Sequence, residues 1–288
     1  MKTVLDASKA LLVDVAEILN NYGAEYVVVG GWSPYLRYKG CLSHPGTKDV
    51  DILLSDAAAE FGIRKIIDIF LSNGYLVSAK HDFQLLKSVE VDGRNLVFNI
   101  DLLHPSETQR NPELFVDQFD LKIYENDLDE IKFVRSMVLP SSKILFKNEF
   151  NSQFKVVSPA TENSVNIPLI TEAGCILSKC ESVSLAKRKR DAFDIYLSLT
   201  NIGQADFVKA LQPYADIDGV AAMLTSLRNF LCEPVENCGS TLEFDSRVLR
   251  YTKDAILPCL PSAFVLEAIN AVGYSSDRVS RSDPERLR

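Results

Sequence analysis

The sequence predicts an α+β protein, with a mixed-sheet N-terminal domain followed by an α-helical C-terminal domain. Short β-branched runs fill the first half of the chain, and Asp92-Gly93 is a strong signal for a hairpin turn. After Pro168 the apolar spacing becomes helical and stays so to about Val272. The predicted domains are residues 1–160, a helical domain at 161–274 and a polar tail at 275–288.

Composition narrows the class of protein. Of 288 residues, 47% are hydrophobic and 24% are charged, which is typical of a globular protein, and the net charge of −8 argues against a broadly basic nucleic-acid binder. No apolar run approaches the roughly 18 residues of a membrane span. Asp14 and Glu17 interrupt the first apolar stripe, unlike a signal peptide. We therefore expect a cytoplasmic protein with no membrane partner.

The cysteines and histidines do not predict a zinc site. The 6 cysteines contain no Cys-x-x-Cys pair, and the 3 histidines are scattered along the chain. Reduced thiols that act as small hydrophobic side chains are the preferred interpretation.

The apolar spacing predicts the elements in chain order. A first helix is expected at residues 6–21, with Gly23 ending it. The next elements are a strand at 25–29, a helix at 33–38, a strand at 49–54, a helix at 56–73 with Asp56 as N-cap, and strands at 75–79, 83–91 and 96–103. Shorter β-like runs follow at 131–138, 143–146 and 154–157, with helices at 171–185 and from 187.

A glycine pair and a pair of aspartates lie at the centre of the first domain. The first β-branched run ends in Gly30 and Gly31, and the next strand opens with Asp49 and Asp51. Two aspartates two residues apart on a strand share a face, where their repulsion is costly without a cation between them. Mg²⁺ commonly takes one or two carboxylates plus substrate phosphates, and a glycine turn before a helix can approach an anion closely. Taken singly, each feature is more often a tight turn or a solvated surface; together they predict a place where phosphate and metal meet.

A third carboxylate lies on the strand that returns from the hairpin. Alternation places Phe98 and Ile100 on one face of this strand, with Asn99 and Asp101 on the other. Asp101 on a neighbouring strand would complete a site for two metal ions, which lie about 3.5–4 Å apart in such sites. A strand-end aspartate facing water is the weaker interpretation, because the apolar run continues through Leu103.

A second group of charged residues lies in the helical half. Lys179 is followed by the basic run 187–190, which leads directly into Asp191 and Asp194. A run of lysines and arginines is usually a solvated helix face. Here Asp191 and Asp194 are three apart and share a helix face with Arg190. A helical hairpin would bring Lys179 back to the same cleft.

The order of glycine pair, short helix and Asp-x-Asp resembles the nucleotidyltransferases of the DNA polymerase β superfamily. With the second group included, the chain is similar to the AbiEii toxin-like family, whose second half carries a lysine followed about a dozen residues later by Arg-Asp-x-x-Asp. Two positions depart from the family pattern. Trp32 separates the glycine pair from the hydroxyl of Ser33, and Pro45 stands where many members have arginine. The pattern spans roughly residues 10–200 and matches at Gly30, Gly31, Asp49, Asp51, Asp101, Lys179, Arg190, Asp191 and Asp194.

The resemblance implies Mg²⁺-dependent transfer of a nucleotidyl group from a nucleoside triphosphate (NTP) to an acceptor hydroxyl, with two metal ions and release of pyrophosphate. It implies that Asp49, Asp51 and Asp101 hold the metals and that Asp101 helps to deprotonate the acceptor. It also implies that Asp191 orients Lys179 or the acceptor, while Asp194 fixes the helix pair. The residues implied to bind the nucleotide are Gly30, Gly31, Ser33, Lys179 and Arg190.

The acceptor and the partners follow from the same resemblance. In the toxin-like branch the acceptor is often tRNA, and a cognate antitoxin, in a toxin–antitoxin or phage-defence pair, is the expected partner. Run 187–190 could contact RNA phosphates. One alternative is a binding or scaffold module that has lost turnover, favoured by Trp32 and Pro45. The other is an antibiotic nucleotidyltransferase, which the acidic composition suits. The clustered aspartates favour an enzyme, because they would be costly to keep in a scaffold.

Overall fold

The computed structural model describes residues 1–232, apart from 41, 43, 57, 59–62, 79–80, 82, 107–115, 121–132, 181, 184–187, 189 and 216. The chain divides into two compact units. The first unit comprises Met1–Trp32 and Gly46–Ile170, and the second comprises Ser33–Pro45 and the chain from Thr171. The helices predicted after residue 232 and the tail predicted at 275–288 lie outside the described residues.

The described part of the first unit contains nine strands in one mixed sheet, which confirms the predicted α+β class. The strands are β1 Tyr26–Val29, β2 Val50–Leu54, β3 Leu76–Val77, β4 Gln84–Val91, β5 Arg94–Ser106, β6 Val116–Asp120, β7 Phe133–Pro140, β8 Asn151–Val157 and β9 Ser164–Ile170. Helices α1 Val4–Tyr22 and α3 Ile63–Ser72 belong to this unit, and α2 Trp32–Arg37 begins at the last residue of its first segment.

The strand order brings together the strands on which the three aspartates were predicted. The sheet runs β3-β4-β5-β2-β1-β9-β8, with β7 paired to β5 and β6 paired to β7. Strand β2 is antiparallel to β1 and parallel to β5. Asp51 pairs directly with Asp101 in that parallel register. The predicted placement of Asp101 on a strand next to that of Asp51 is therefore confirmed.

The first helix follows its sequence signals. The side chain of Thr3 accepts a hydrogen bond from the backbone N–H of Asp6, and Gly23 ends α1 in the left-handed conformation at φ 74°. The predicted stop at Gly23 is confirmed. The apolar stripe of α1 is buried, and the helix packs against α3 and against strands β2, β4 and β9.

The predicted hairpin is also confirmed. Asp92 and Gly93 both have positive φ, 49° and 73°, as a two-residue type I′ turn requires. Val91 pairs with Arg94 at the turn, and the antiparallel register then runs without a slip to Gln84 opposite Asp101. The turn therefore determines which β4 side chain lies beside the third aspartate.

Two of the predicted elements differ in the structure. The expected strand at 143–146 is wrong: Ser142–Phe146 is a 3-10 helix, and the adjacent side chains of Ile144 and Leu145 are both buried, whereas a strand would send them to opposite faces. The helical pattern was expected to begin after Pro168, yet Leu169 and Ile170 still belong to strand β9. Because β9 pairs with β1 and β8, the first unit extends to Ile170, ten residues past the predicted boundary at 160.

The second unit, in its described residues, is helical. Its helices are α4 Glu172–Lys179, α5 Arg190–Ile202, α6 Gln204–Leu211 and α7 Asp218–Cys232. Helix α4 packs against α5, α6 and α7. Phe193 and Leu197 of α5 are buried beside Tyr38 and Leu42 of the early segment. None of the helices in the described residues is long and apolar enough to cross a membrane.

Tyr75, next to strand β3 at the edge of the sheet, forms a hydrogen bond to α1. Removal of its hydroxyl group should destabilise the first unit. Its hydroxyl donates to Oδ2 of Asp14 at 2.5 Å, and burial followed by the nearby Asp14 carboxylate raises the pKa of Tyr75. Tyr75→Phe leaves a partly buried carboxylate without this donor, so we expect the free energy of unfolding in urea to fall by about 1–3 kcal/mol. Tyr22→Phe, at a side chain that is 37% exposed, is the control and should change stability little. Equal stability of Tyr75→Phe and wild type would contradict this role.

Candidate functional site

The turn after β1 is shaped by one carboxylate. Gly30 has φ +75°, a conformation that favours glycine, and a Cβ built on it would overlap Oδ2 of Asp51 and lie 3.0 Å from its Cγ. Val29 pairs with Asp51 across the two strands. The Asp51 carboxylate thus fills the space that a side chain at position 30 would need. Both the backbone angle and the close approach require glycine here.

Asp51 and Asp101 lie side by side on adjacent parallel strands. Their preceding residues, Val50 and Ile100, are paired with each other and buried, so the two aspartates share the opposite face. Oδ1 of Asp101 accepts hydrogen bonds from the amides of Gln84 at 2.8 Å and Asn99 at 2.9 Å. These amides fix the orientation of one carboxylate beside the other.

Trp32, which departs from the family pattern, holds the remaining aspartate of the pair. Its indole N–H donates to the backbone carbonyl of Asp49 at 2.9 Å, and the ring is fully buried. The bond spans 17 residues, so it joins the turn after β1 to the start of β2. In this protein Trp32 therefore supports the position of Asp49. Gly31 and Ser33, predicted to bind phosphate, are buried in the same turn and the start of α2; their phosphate contacts stay a prediction.

The donor set fits Mg²⁺ held together with phosphate better than a metal held by protein alone. Asp51 and Asp101 supply adjacent carboxylate oxygens, the ligand type that Mg²⁺ prefers, and a site with one or two carboxylates is completed by substrate phosphates and water. Within the part of the chain that the structure describes, no group of three or more His, Cys, Asp or Glu side chains is arranged to hold an ion. The predicted cage of three aspartates around two ions stays a prediction.

In the second unit, Lys179 lies at the centre of a buried ion cluster. Its ammonium is 2.7 Å from Oδ1 of Asp191 and 2.9 Å from Oδ2 of Asp194, and all three side chains are buried. Ser182 donates to the other oxygen of Asp191 at 2.6 Å. The helical hairpin predicted to return Lys179 to Asp191 is thus observed as α4 packed on α5. We name Lys179, Asp191 and Asp194 the ion cluster.

Burial and the neighbouring charges have opposite effects on the pKa values of Lys179 and Asp194. Burial alone would lower the pKa of Lys179, but the carboxylates of Asp191 and Asp194 outweigh it and raise that pKa above its usual value. Burial alone would raise the pKa of Asp194, yet Lys179, His44 and Arg190 lower it overall. Burial raises the pKa of the neighbouring Cys175 thiol to about 12. The ammonium and the Asp194 carboxylate are therefore both charged near neutral pH.

Two further side chains contact Asp194. Nε2 of His44 is 3.0 Å from Oδ1, and Nε of Arg190 is 4.0 Å from the same oxygen. Because a carboxylate only accepts, Nε2 of His44 carries the hydrogen. Nη2 of Arg190 lies 3.4 Å from that nitrogen but cannot donate to it, because the nitrogen already carries a hydrogen. Arg190 therefore interacts with Asp194 through its positive charge. The expected role of Asp194 in fixing the helix pair agrees with these contacts.

The basic run is described at two of its four positions. Arg188 is 56% exposed and lies 3.4 Å from Oδ2 of Asp191, while Arg190 is half-buried. Lys187 and Lys189 lie outside the described residues. Both described arginines therefore lie beside the ion cluster, and the contact of the run with RNA phosphates stays a prediction.

Comparison with known proteins finds a likeness in structure. Neither the protein-family models nor the curated proteins give a match. Among solved structures, the chain is similar to an antigenic nucleotidyltransferase-like protein from Paracoccidioides brasiliensis. The TM-score is 0.34 with 13% identity, over 76% of this chain and 91% of that one. A similarity of this extent carries no argument about function.

The residues that orient the aspartates were missed from sequence, although one had a readable signal. Counting back from the Asp92-Gly93 turn pairs Gln84 with Asp101, so this amide could have been found. Trp32 was interpreted as a departure, because nothing in the spacing links its indole to a carbonyl 17 residues away. His44 gave no signal, since its partner Asp194 is 150 residues distant in sequence. That the carboxylates of the first unit and the ion cluster line one cleft stays a prediction.

Substitution of Gly30 by alanine should lower the free energy of unfolding by more than the strain of its positive φ alone. Gly23→Ala is a matched control, because Gly23 has φ +74° and nothing within 4 Å of an added Cβ. The control should lose about 1–2 kcal/mol in free energy of unfolding. Gly30→Ala should lose more, because its Cβ displaces the Asp51 carboxylate. In a double-mutant cycle, Asp51→Ala should remove that excess. Equal costs for the two glycine variants would contradict the close approach.

The ion cluster should make the stability of the second unit depend on pH in the acid range. The lowered pKa of Asp194 means that its stabilisation is present above the unfolded value of about 3.9 and is lost as pH falls toward the folded value. Asp194→Asn should cost about 3–5 kcal/mol at pH 7, because it leaves the buried ammonium with one carboxylate fewer. Below about pH 4 this difference should shrink by about 1.4 kcal/mol per pH unit.

Urea unfolding followed from pH 7 to pH 3 measures this dependence. Asp206→Asn, on the exposed first turn of α6, is the control and should follow the wild-type pH profile. A constant difference between wild type and Asp194→Asn across that range would show that the Asp194 charge does not stabilise the fold.

Proposed function

We propose that this protein is a Mg²⁺-dependent nucleotidyltransferase, which transfers a nucleotidyl group from an NTP to an acceptor hydroxyl and releases pyrophosphate. The observation that carries the proposal is the parallel register of Asp51 and Asp101 beside the Gly30 turn. It supplies two adjacent carboxylates on one strand face, beside the glycine turn that the Asp51 carboxylate approaches closely. This is the donor set that phosphate-bound Mg²⁺ takes.

The residues of the first unit would act mainly by positioning. Asp51 and Asp101 would hold the metal, and Asp49, whose backbone carbonyl accepts the Trp32 hydrogen bond, is proposed as a further ligand. When bound, Mg²⁺ neutralises phosphate charge and polarises the transferred phosphoryl group. Asp101, oriented by Gln84 and Asn99, would accept the acceptor hydroxyl proton. The acceptor oxygen then bonds to the α-phosphorus as the bond to the pyrophosphate oxygen breaks.

The ion cluster suggests a modified role for Lys179. An ammonium already bound to Asp191 and Asp194 has most of its charge neutralised locally, so its effect on a triphosphate would be smaller than that of an exposed lysine. We propose that Asp191 orients Lys179 and that Arg190 supplies the remaining positive charge. Both residues stay candidates for nucleotide binding.

The proposal also extends to the acceptor of the nucleotidyl group. The resemblance to the toxin-like family favours tRNA, with a cognate antitoxin as partner. A cationic antibiotic would suit the net charge of −8. The scaffold alternative loses some of its support, because Trp32 holds Asp49 in place.

Labelled transfer tests the reaction and the acceptor together. The wild-type chain is incubated with Mg²⁺ and each α-labelled NTP, with total tRNA, with aminoglycosides or without acceptor. Label in RNA supports the tRNA acceptor, and label in the drug supports the antibiotic alternative. NTP binding without any transfer would overturn the enzyme proposal in favour of the binding module.

Asp51→Asn should abolish transfer while the fold is kept. Removing a metal ligand should lower kcat/KM at least about 100-fold. Stability should hold or rise, because the variant relieves repulsion with Asp101. Asp92→Asn, at the exposed hairpin turn, is the matched control and should keep wild-type rates. Wild-type turnover in Asp51→Asn would contradict the metal assignment.

A further inference from the structure

One oxygen of the Asp101 carboxylate accepts hydrogen bonds from two side-chain amides. The amide of Gln84 donates to Oδ1 at 2.8 Å, and that of Asn99 donates to the same oxygen at 2.9 Å. Because a carboxylate only accepts, each amide turns its nitrogen toward Asp101. The two donors come from different strands, one from β4 and one from β5 itself. The carboxylate is thus held at one oxygen from two positions of the sheet.

Gln84 reaches the carboxylate from a backbone position that is itself fixed. It lies directly opposite Asp101 in the antiparallel register of β4 and β5. Its backbone N–H donates to the carbonyl of His81 at 3.1 Å, and its carbonyl accepts from the N–H of Ser78 at 3.1 Å. The start of β4 is therefore anchored on both sides of Gln84. Only the side chain has to be ordered for the amide to meet Asp101.

Asn99 reaches the same oxygen along its own strand. Residues two apart on a strand point to the same face, so Asn99 lies on the face of Asp101. Phe98 and Ile100, the neighbours of Asn99 in sequence, are fully buried on the opposite face and hold the strand in this orientation. The Gln84, Asn99 and Asp101 side chains are half-buried. Hydrogen bonds to a charged acceptor are stronger than bonds between neutral groups.

Asp51 gives these hydrogen bonds a consequence for the site. It pairs with Asp101 across β2 and β5, and the two carboxylates lie on one face. Neighbouring carboxylates repel each other, and this repulsion favours rotation of the Asp101 carboxylate away from Asp51. Two hydrogen bonds at Oδ1 of Asp101 oppose that rotation. The orientation of the third aspartate is thus set by the amides as well as by the charge of its neighbour.

We propose that Gln84 and Asn99 are positioning residues that keep the Asp101 carboxylate in the orientation in which it binds Mg²⁺ together with Asp51. Neither amide touches the metal or the substrate in this role. The effect on metal binding rests on the proposed nucleotidyltransferase function. The hold on the carboxylate stands on the hydrogen bonds alone, and all of the residues involved belong to the first unit.

Nuclear magnetic resonance of the metal-free full chain tests the hold on the carboxylate. In ¹⁵N-labelled protein, Gln84→Met and Asn99→Leu each remove one pair of side-chain amide resonances and so assign it. Asp101→Ala removes the shared acceptor, so both pairs should shift and their hydrogens should exchange faster with solvent. Ser88→Ala, at an exposed position on the same face of β4, is the control and should shift neither pair. Unchanged amide resonances in Asp101→Ala would contradict the inference.

Mn²⁺ binding tests the consequence for the metal site. Mn²⁺ replaces Mg²⁺ as a paramagnetic probe, and its binding to the full chain is measured by water-proton relaxation with α,β-methylene NTP analogues, which cannot release pyrophosphate. Gln84→Met should weaken Mn²⁺ binding by about 10-fold, and the double variant with Asn99→Leu by about 100-fold, because partners that orient a metal ligand contribute to affinity on this scale. Ser88→Ala should bind Mn²⁺ as wild type does. Wild-type affinity in the folded double variant overturns the positioning role.

Two further comparisons separate positioning from loss of stability and from failure of the proposed function. Tyr75→Phe, expected to destabilise the same unit, should bind Mn²⁺ with wild-type affinity. If the double variant does not fold in urea-unfolding measurements, Gln84→Met alone decides, and wild-type affinity in that variant counts against positioning. If wild type binds Mn²⁺ with none of the analogues, the proposed function fails, and the amide resonances of the Asp101→Ala chain decide the structural inference by themselves.

Discussion

The close approach of the Asp51 carboxylate to Gly30 is the constraint on which the first unit's site depends. Strand β2 lies between β1 and β5, so Asp51 meets the glycine turn on one side and Asp101 on the other. A side chain at position 30 would overlap the Asp51 carboxylate. The missing Cβ thus permits both the positive φ of the turn and the position of the Asp51 carboxylate.

The two units stabilise their charged side chains in different ways. In the first unit, the carboxylate of Asp101 is oriented by neutral amides. In the second, Lys179, Asp191 and Asp194 are buried together, and the cost of desolvating three charges is offset mainly by their mutual attraction. Removal of one member of such a cluster leaves a buried charge without its partner, so the cluster favours the observed packing of α4 on α5.

Sequence reasoning succeeded where local rules decide the structure. The Asp92-Gly93 turn, the Gly23 stop and the alternation of β5 each depend on residues within a few positions, and all three are confirmed. It failed where the deciding partner is distant. Residues 142–146 form a 3-10 helix. Leu169, expected in the helical half, lies in β9 and pairs with Val28 of β1, which is distant in sequence. The contacts of Trp32 and His44 gave no local pattern, so the support of the site was found only in three dimensions.

The division of the second unit between residues 33–45 and the chain from Thr171 imposes an order on folding during synthesis. Tyr38 and Leu42 emerge from the ribosome early, yet their apolar neighbours on α5, Phe193 and Leu197, are made much later. At translation rates of about 5–20 residues per second, the wait is on the order of ten seconds. Every strand through β9 is available before that cover arrives. The nascent chain can therefore pair its strands before the helix that covers Tyr38 and Leu42 has been made.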